Sequence, residues 1–192
     1  MSRFLIAGLG NIGNEYAHTR HNIGFDVADA FAAKHGGIFK NERLADVAAF
    51  TLKGKEILVI KPTTYMNVSG RALKYWIDQK KIALEQTLTI IDEISLPLSK
   101  LRLRPGGSSG GHNGLKSIEE WLGTVDYPRL RFGIGSNFAK GRQIDFVLGK
   151  WSTEEMPLVN LKINESIEVI ESFIFTGIER TMTEVNKKEF KL

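Results

Sequence analysis

The sequence predicts an α/β fold: one domain over residues 1–192, built on a central twisted mixed β-sheet flanked by helices. Three observations predict it. Strand-like apolar runs alternate with segments of helical periodicity along most of the chain, the pattern of helices packed on a sheet. The runs Val47–Leu52 and Glu56–Ile60 are separated only by Lys53-Gly54-Lys55, so they read as a hairpin and make the sheet mixed. The length of 192 residues, with 42% hydrophobic and 25% charged side chains, suits one globular unit.

Each element follows in order. Arg3 to Ala7 is a short buried strand, ended by Gly8, Gly10 and Gly13. Ile23, Val27, Ala30 and Phe31 recur at helical spacing, so a helix runs from about Asn22 to Lys34 and stops at Gly36-Gly37. Pro62 closes the second hairpin strand. The next helix has Ser69 as its cap and Ala72, Leu73, Trp76 and Ile77 inward. Met66, Trp76 and Trp121 are expected to pack. Thr87 to Ile91 is a further apolar strand, terminating at Asp92.

The second half begins with clean alternation. In Lys100-Leu101-Arg102-Leu103-Arg104 the period of two places the leucines on one face and the bases on the other. Arg129-Leu130-Arg131-Phe132 repeats that arrangement. A helix near Leu115, Ile118 and Leu122 lies between them, and Ile144 to Leu148 reads as another short strand. Ser152-Thr153-Glu154-Glu155 fits a capping box. Met156, Val159, Ile163, Ile167, Ile170 and Ile174 then form an apolar stripe. A long amphipathic helix is therefore expected over about 151–177, ended by Gly177, with residues 186–192 as a frayed tail.

Composition excludes several classes. With no cysteine there is no disulfide framework, cysteine nucleophile, thiolate zinc site or CxxC redox pair. No apolar run approaches the ~20 residues of a membrane span, and the run after Met1 is too short for a signal peptide. A soluble, cytoplasmic domain is expected. Residues 100–150 hold nine basic and four acidic side chains, a net of +5, which leaves −1 for the other 141. A basic excess confined to one region is how a polyanion-binding face looks in sequence, although basic residues also solvate ordinary surfaces.

Several motifs carry chemistry. Gly8-Leu9-Gly10-Asn11-Ile12-Gly13 after a strand invites a dinucleotide-binding reading. That unit needs a helix at once and a second strand bearing an acid; residues 15–22 intervene instead, and the context contradicts it. Polar residues do collect at strand exits: Asn11 after the first strand, Thr63 to Asn67 after the Glu56–Ile60 strand, and Asp92-Glu93 after Thr87–Ile91. If those strands are parallel, the groups converge on one rim, where α/β sheets bind ligands.

His21 is the natural proton handler for such a rim, and Asp92 is the carboxylate that could orient it. His18 and His21 offer no evident third metal ligand, so no metal is expected. Gly106 to Gly114 contains five glycines in nine residues, a loop that is flexible or hugs a ligand backbone. Asn113 opens the helix that follows it.

These residues together resemble bacterial peptidyl-tRNA hydrolase. The resemblance rests on Gly8-Leu9-Gly10-Asn11-x-Gly13, Tyr16, Thr19-Arg20-His21-Asn22-x-Gly24 and Lys61-Pro62-x-Thr64-Tyr65-Met66-Asn67-x-Ser69-Gly70. It continues through Asp92-Glu93, Gly110-Gly111-His112-Asn113-Gly114, Arg129-Leu130-Arg131-x-Gly133-Ile134-Gly135 and Phe146-Val147-Leu148-Gly149. It covers the chain in order from Arg3 to about Gly149. The sequence departs from the family pattern at Ile12, where proline is usual, at Ser95, where a second aspartate often follows, and at Ser136, where a basic or polar residue is common.

The resemblance implies a three-layer sandwich and hydrolysis of the ester joining a peptide to the 3′ end of tRNA, without metal or cofactor. His21 would be the general base, with Asp92 holding it in its basic form. Asn11 would sense whether the amino group is blocked, and Tyr16, Tyr65, Asn67 and Asn113 would bind the peptide and the 3′ end. Lys100, Arg102, Arg104, Arg129, Arg131, Lys140 and Arg142 would grip acceptor-stem phosphates, with the long helix beside the cleft and the protein a monomer. The alternative from another class is a non-catalytic RNA-binding protein of the same fold, as some splicing factors are.

Overall fold

In the computed structural model, which describes all residues 1–192, seven strands form one sheet. They are β1 (Arg3–Gly8), β2 (Lys40–Glu42), β3 (Ala45–Leu52), β4 (Lys55–Pro62), β5 (Thr87–Glu93), β6 (Leu101–Arg104) and β7 (Arg129–Gly133). Their order is β2-β3-β4-β1-β5-β7-β6. The central neighbours β4-β1, β1-β5 and β5-β7 are parallel, whereas the hairpin β3-β4 and the outer pairs β2-β3 and β6-β7 are antiparallel. The two central strands are covered on both faces: Phe4 to Gly8 of β1 are apolar and buried throughout, and Thr87 to Asp92 of β5 are buried throughout, the polar Thr87, Thr89 and Asp92 included.

There are six helices: α1 (Ile23–Lys34), α2 (Ser69–Lys80), α3 (Asn113–Leu122), α4 (Gln143–Val147), α5 (Met156–Thr176) and α6 (Ile178–Val185). Alternation along the strands divides the core. Phe4 and Ile6 join α1 and α5 on one face, while Leu5 and Ala7 join α2 and α3 on the other. This makes three layers. Each leucine or isoleucine buried here contributes about 1.5–3 kcal/mol relative to exposure, so both faces drive folding.

The glycine motif near the N-terminus has a packing explanation. A Cβ on Gly8 would lie 2.0 Å from the Gly24 carbonyl oxygen, and one on Gly24 would lie 2.5 Å from that of Ile90. Helix α1 therefore begins directly against the ends of β1 and β5, which no larger residue permits.

The structure corrects four readings. Ile144–Leu148 is not a strand: Gln143–Val147 is helical, with Phe146 N–H on the Arg142 carbonyl at 3.0 Å. Short apolar runs carry no decisive period, and here Ile144 is exposed while the Phe146 ring packs on Phe138. Ser69 does not cap α2; its hydroxyl donates backward to the Met66 carbonyl at 2.7 Å. Trp121 is half-exposed, unlike Met66 and Trp76, which are buried as expected.

The tail is docked, not frayed. The Asn186 side chain brackets Leu103 N–H and C=O at 2.8 and 3.0 Å, and Phe190 is buried with its N–H on the Ser99 carbonyl at 2.8 Å. It covers the open edge of β6, whose backbone groups would otherwise be free to pair with another chain. The capping box is present: Glu155 N–H donates to the Ser152 hydroxyl at 3.1 Å, and Ser152 N–H to the Glu155 carboxylate at 2.9 Å.

Candidate active site

Because β1, β4, β5 and β7 run parallel, their carboxyl ends share one rim. Asp92 is the penultimate residue of β5. Its buried carboxylate meets two imidazoles. His21 Nδ1–H donates to Oδ2 at 2.9 Å, and His112 Nε2–H donates to Oδ1 at 2.9 Å. His21 arrives on a short 3-10 turn, Arg20–Asn22, just before α1. His112 ends the glycine-rich loop.

The tautomers follow from the partners. His112 Nδ1 accepts from Gly114 and Leu115 N–H at 3.1 and 3.3 Å, so it caps α3 and must carry its proton on Nε2. Thus His112 is the cap, and Asn113 is the first residue of the helix. For His21, Asp92 accepts the Nδ1–H and leaves Nε2 without a protein partner, free to accept. Burial alone would lower the His21 pKa, but the charge of Asp92 and its hydrogen bond outweigh that and raise it above 6.5. Burial pushes Asp92 the other way; His21 and His112 outweigh it and hold the carboxyl well below the ordinary range.

The nearest ligand atoms of His21, Asp92 and His112 lie within 4.8 Å of one another, close enough to bridge a cation. Their chemistry favours a proton network instead. The helix cap fixes a proton on the His112 nitrogen that faces Asp92, and the His21 nitrogen facing Asp92 donates its own. His18, the other histidine weighed for a metal, is turned to Asp26 at 2.9 Å.

A cleft of about 100 Å³ opens at this network, lined by His21, Asp92, His112 and Asn113 on one side and by Gln143 and Ile144 of α4 on another. A second hollow of about 320 Å³ lies beside it and contains Asn11 and Asn22. A larger one, about 490 Å³, sits at the opposite end of the strands, where Arg3 and Glu56 satisfy each other.

Asn11 is held rigidly. The buried Asn22 accepts from Asn11 N–H and donates to its carbonyl, both at 2.8 Å, and Asn11 Oδ1 accepts Met66 N–H at 2.7 Å. Ser69 takes the Met66 carbonyl. With both backbone groups of Met66 held, the adjoining Tyr65 carries the strain, at φ 61° and ψ 160°, a conformation that costs a non-glycine residue about 1–3 kcal/mol. Tyr65 and Asn67 are exposed at the rim; Tyr16 ends the turn Asn14–Tyr16 and lines neither hollow beside the network.

The expected basic face is smaller than the alternation suggested. Arg129 is a correction: it is fully buried, lies 3.9 Å over the Tyr127 ring, and donates to the carbonyls of Tyr127, Gly107 and Val125. Arg131 is also diverted, paired with Glu93 at 2.6 Å and with the Ser108 carbonyl at 3.0 Å. Both arginines do project to one side of β7, as the period of two requires, but the glycine-rich loop covers that side. Lys100 donates to the Lys188 carbonyl at 3.0 Å, and Arg142 pairs in solvent with Asp145. Arg104 and Lys140 are exposed, and Arg102 is half-exposed.

Two residues escaped sequence reasoning: His112 as the second partner of Asp92, and Asn22 as the clamp on Asn11. His112 had a signal, a histidine directly before a helix start; Asn22 had none beyond its neighbours.

Comparison with known proteins identifies the family. The family model described as peptidyl-tRNA hydrolase matches residues 5–192. The chain is 48% identical over 186 residues to a peptidyl-tRNA hydrolase of Phocaeicola vulgatus, covering 97% of this chain and all of that protein. It is equally 48% identical to that of Porphyromonas gingivalis, over 96% of this chain and all of the relative. Among solved structures, peptidyl-tRNA hydrolase from Acinetobacter baumannii superposes with a TM-score of 0.91 at 34% identity, over 97% of this chain and 95% of that one. Another, a peptidyl-tRNA hydrolase in complex with N-propanol, gives 0.92 at 33% identity over 98% and 96%.

Proposed function

Since the chain belongs to the peptidyl-tRNA hydrolase family, we propose that it cleaves the ester between a peptide and the 3′ end of tRNA, using His21 as general base. The observation that carries this reading is the His21–Asp92 contact at the floor of an open cleft. Nε2 of His21 takes a proton from water as the water oxygen attacks the ester carbonyl carbon. The bond to the ribose 3′ oxygen then breaks, and the proton passes from His21 to that oxygen. Asp92 keeps the free lone pair on Nε2 and stabilises the transient imidazolium. The Asn113 side-chain amide, in the same cleft, can donate to the developing oxyanion.

Asn11 suits discrimination at the amino end. Its Oδ1 is turned to Met66 N–H, which orients the amide so that Nδ2 is the end with no protein partner and presents its hydrogens. A donor there matches the carbonyl of a blocked amine and repels a free ammonium. Tyr16, Tyr65 and Asn67 would contact the peptide and the terminal nucleotide. Of the basic residues expected to meet acceptor-stem phosphates, Arg102, Arg104, Lys140 and Arg142 remain available, with Lys100 at their margin; A-form RNA is read by shape and charge. The proposed enzyme acts as a monomer in the cytoplasm, where its substrate is. No helix is long and apolar enough to cross a membrane. A non-catalytic RNA-binding role would leave the imidazole–carboxylate network without use.

The test is release of free tRNA from an N-blocked aminoacyl-tRNA. His21→Ala should lose about 10²–10⁴-fold or more in kcat. Equal turnover by the two proteins would remove His21 from the mechanism. Activity at subsaturating substrate should also fall steeply with salt, and Arg104→Gln should reduce that log–log slope by about one.

A further inference from the structure

Arg20 begins the turn that delivers His21, yet its side chain reaches the segment 143–155. Its Nη1 donates to the Phe146 carbonyl at 3.1 Å and its Nη2 to the Glu155 carboxylate at 2.9 Å. The guanidinium lies 4.3 Å from the Phe146 ring centroid and 5.3 Å from that of Trp151. The Arg20 N–H donates to the Gly149 carbonyl at 3.0 Å, and Thr19 forms an antiparallel bridge with Lys150. The Glu155 oxygen that receives Arg20 is also the one that accepts Ser152 N–H in the cap of α5.

The segment depends on these contacts. Helix α4 has five residues, none of them buried, and a helix that short does not hold itself in water. Yet it supplies Gln143, Ile144 and Val147 to the cleft. Approach is permitted by Gly149, where a Cβ would come within 2.9 Å of Arg20 Nη1. Arg20 Nε is buried with no partner, a cost that a merely stabilising surface arginine would not carry.

We infer that Arg20 is a positioning residue: it fixes the α4 wall against the His21 side of the cleft and so sets the width of the acyl-binding space. The inference rests on the hydrolase reading. Arg20 does so without touching substrate, and its position next to His21 registers wall and base from one turn of chain.

Arg20→Lys and Arg20→Gln test it, by hydrogen exchange and by kinetics on N-blocked aminoacyl-tRNA. Amides of residues 143–151 should exchange about tenfold faster or more, those of β5 unchanged, as expected for a lost charge-assisted bond. KM should rise about tenfold, while the pH midpoint of kcat stays in place because His21 keeps Asp92. Val147→Ala added to Arg20→Gln should raise KM less than the product of the single effects. Glu155→Gln, which retains an acceptor for Ser152 N–H, should produce a smaller change of the same kind. Wild-type exchange across 143–151 would overturn the inference, as would a shifted pH midpoint with unaltered KM. If wild-type protein releases no tRNA, the hydrolase reading fails, and the exchange data still judge whether Arg20 holds the wall.

Discussion

Asp92 and Lys162 are both charged side chains shut from solvent, at 4% and 0% relative exposure, and their surroundings treat them oppositely. Asp92 receives an imidazole N–H on each oxygen, and these partners more than offset the burial that would neutralise it. Lys162, on α5, has no acid: its ammonium donates to the Gly133 carbonyl at 2.7 Å and lies 3.9 Å over the Phe132 ring. Burial lowers its pKa to about 7. One charge is held charged and transmitted to a neighbour at the cleft. The other is a peg tying α5 to the end of β7. Burial by itself does not mark a functional group; what distinguishes Asp92 is that its partners have a second nitrogen with its own task.

Breaking the pair at the carboxylate has the largest expected effect on this contrast. Asp92→Asn should lower kcat by about 10²-fold or more and permit the wrong His21 tautomer. The sign of the pH change is set by the causes above. The proposed base must be unprotonated, so activity should rise with pH through a midpoint above 6.5 in the wild type. Without the carboxylate only burial remains, and the midpoint should move below 6.5. A pH–kcat profile whose midpoint does not fall would show that Asp92 is not the source of the shift.

The next effect is at His112. Replacement by alanine leaves one Asp92 oxygen unpaired and the first amides of α3 uncapped, costing about 1–2 kcal/mol of stability by denaturant titration. A loss of about tenfold in kcat should accompany it. Stability unchanged from wild type would mean that water replaces the ring at no cost.

Lys162→Met sharpens the other side of the comparison and is the smallest effect. The unfolded lysine titrates at ~10.4, the folded one at about 7, so the wild type gains stability as pH rises between those values. Below pH 7 the full burial penalty applies. The difference in Tm should therefore favour methionine more at pH 6 than at pH 9. A difference independent of pH would mean that Lys162 remains charged throughout.

Much of this was legible in sequence because it depends on local period and on spacing. Val27 and Phe31, Leu101 and Leu103, and the Ser152–Glu155 box each report their own element. The polar groups at strand exits could be placed on one rim once the strands were parallel. Arg129 shows where such reading stops. Its side of β7 follows from alternation, but whether that side meets water depends on where the loop 106–108 lies, a contact between segments about 20 residues apart. Gln143–Val147 shows another stop, since five residues contain too little of any period to tell helix from strand.

The sequence by itself determined the alternation of strands and helices, the β3–β4 hairpin and the apolar face of each element, because covalent geometry fixes the period of each element. Only the tertiary structure decided that one carboxylate serves two histidines, that two arginines of β7 face a loop instead of solvent, and that the C-terminal segment closes the β6 edge. Those outcomes depend on which distant groups reach the same few ångströms, and chain order does not specify that distance.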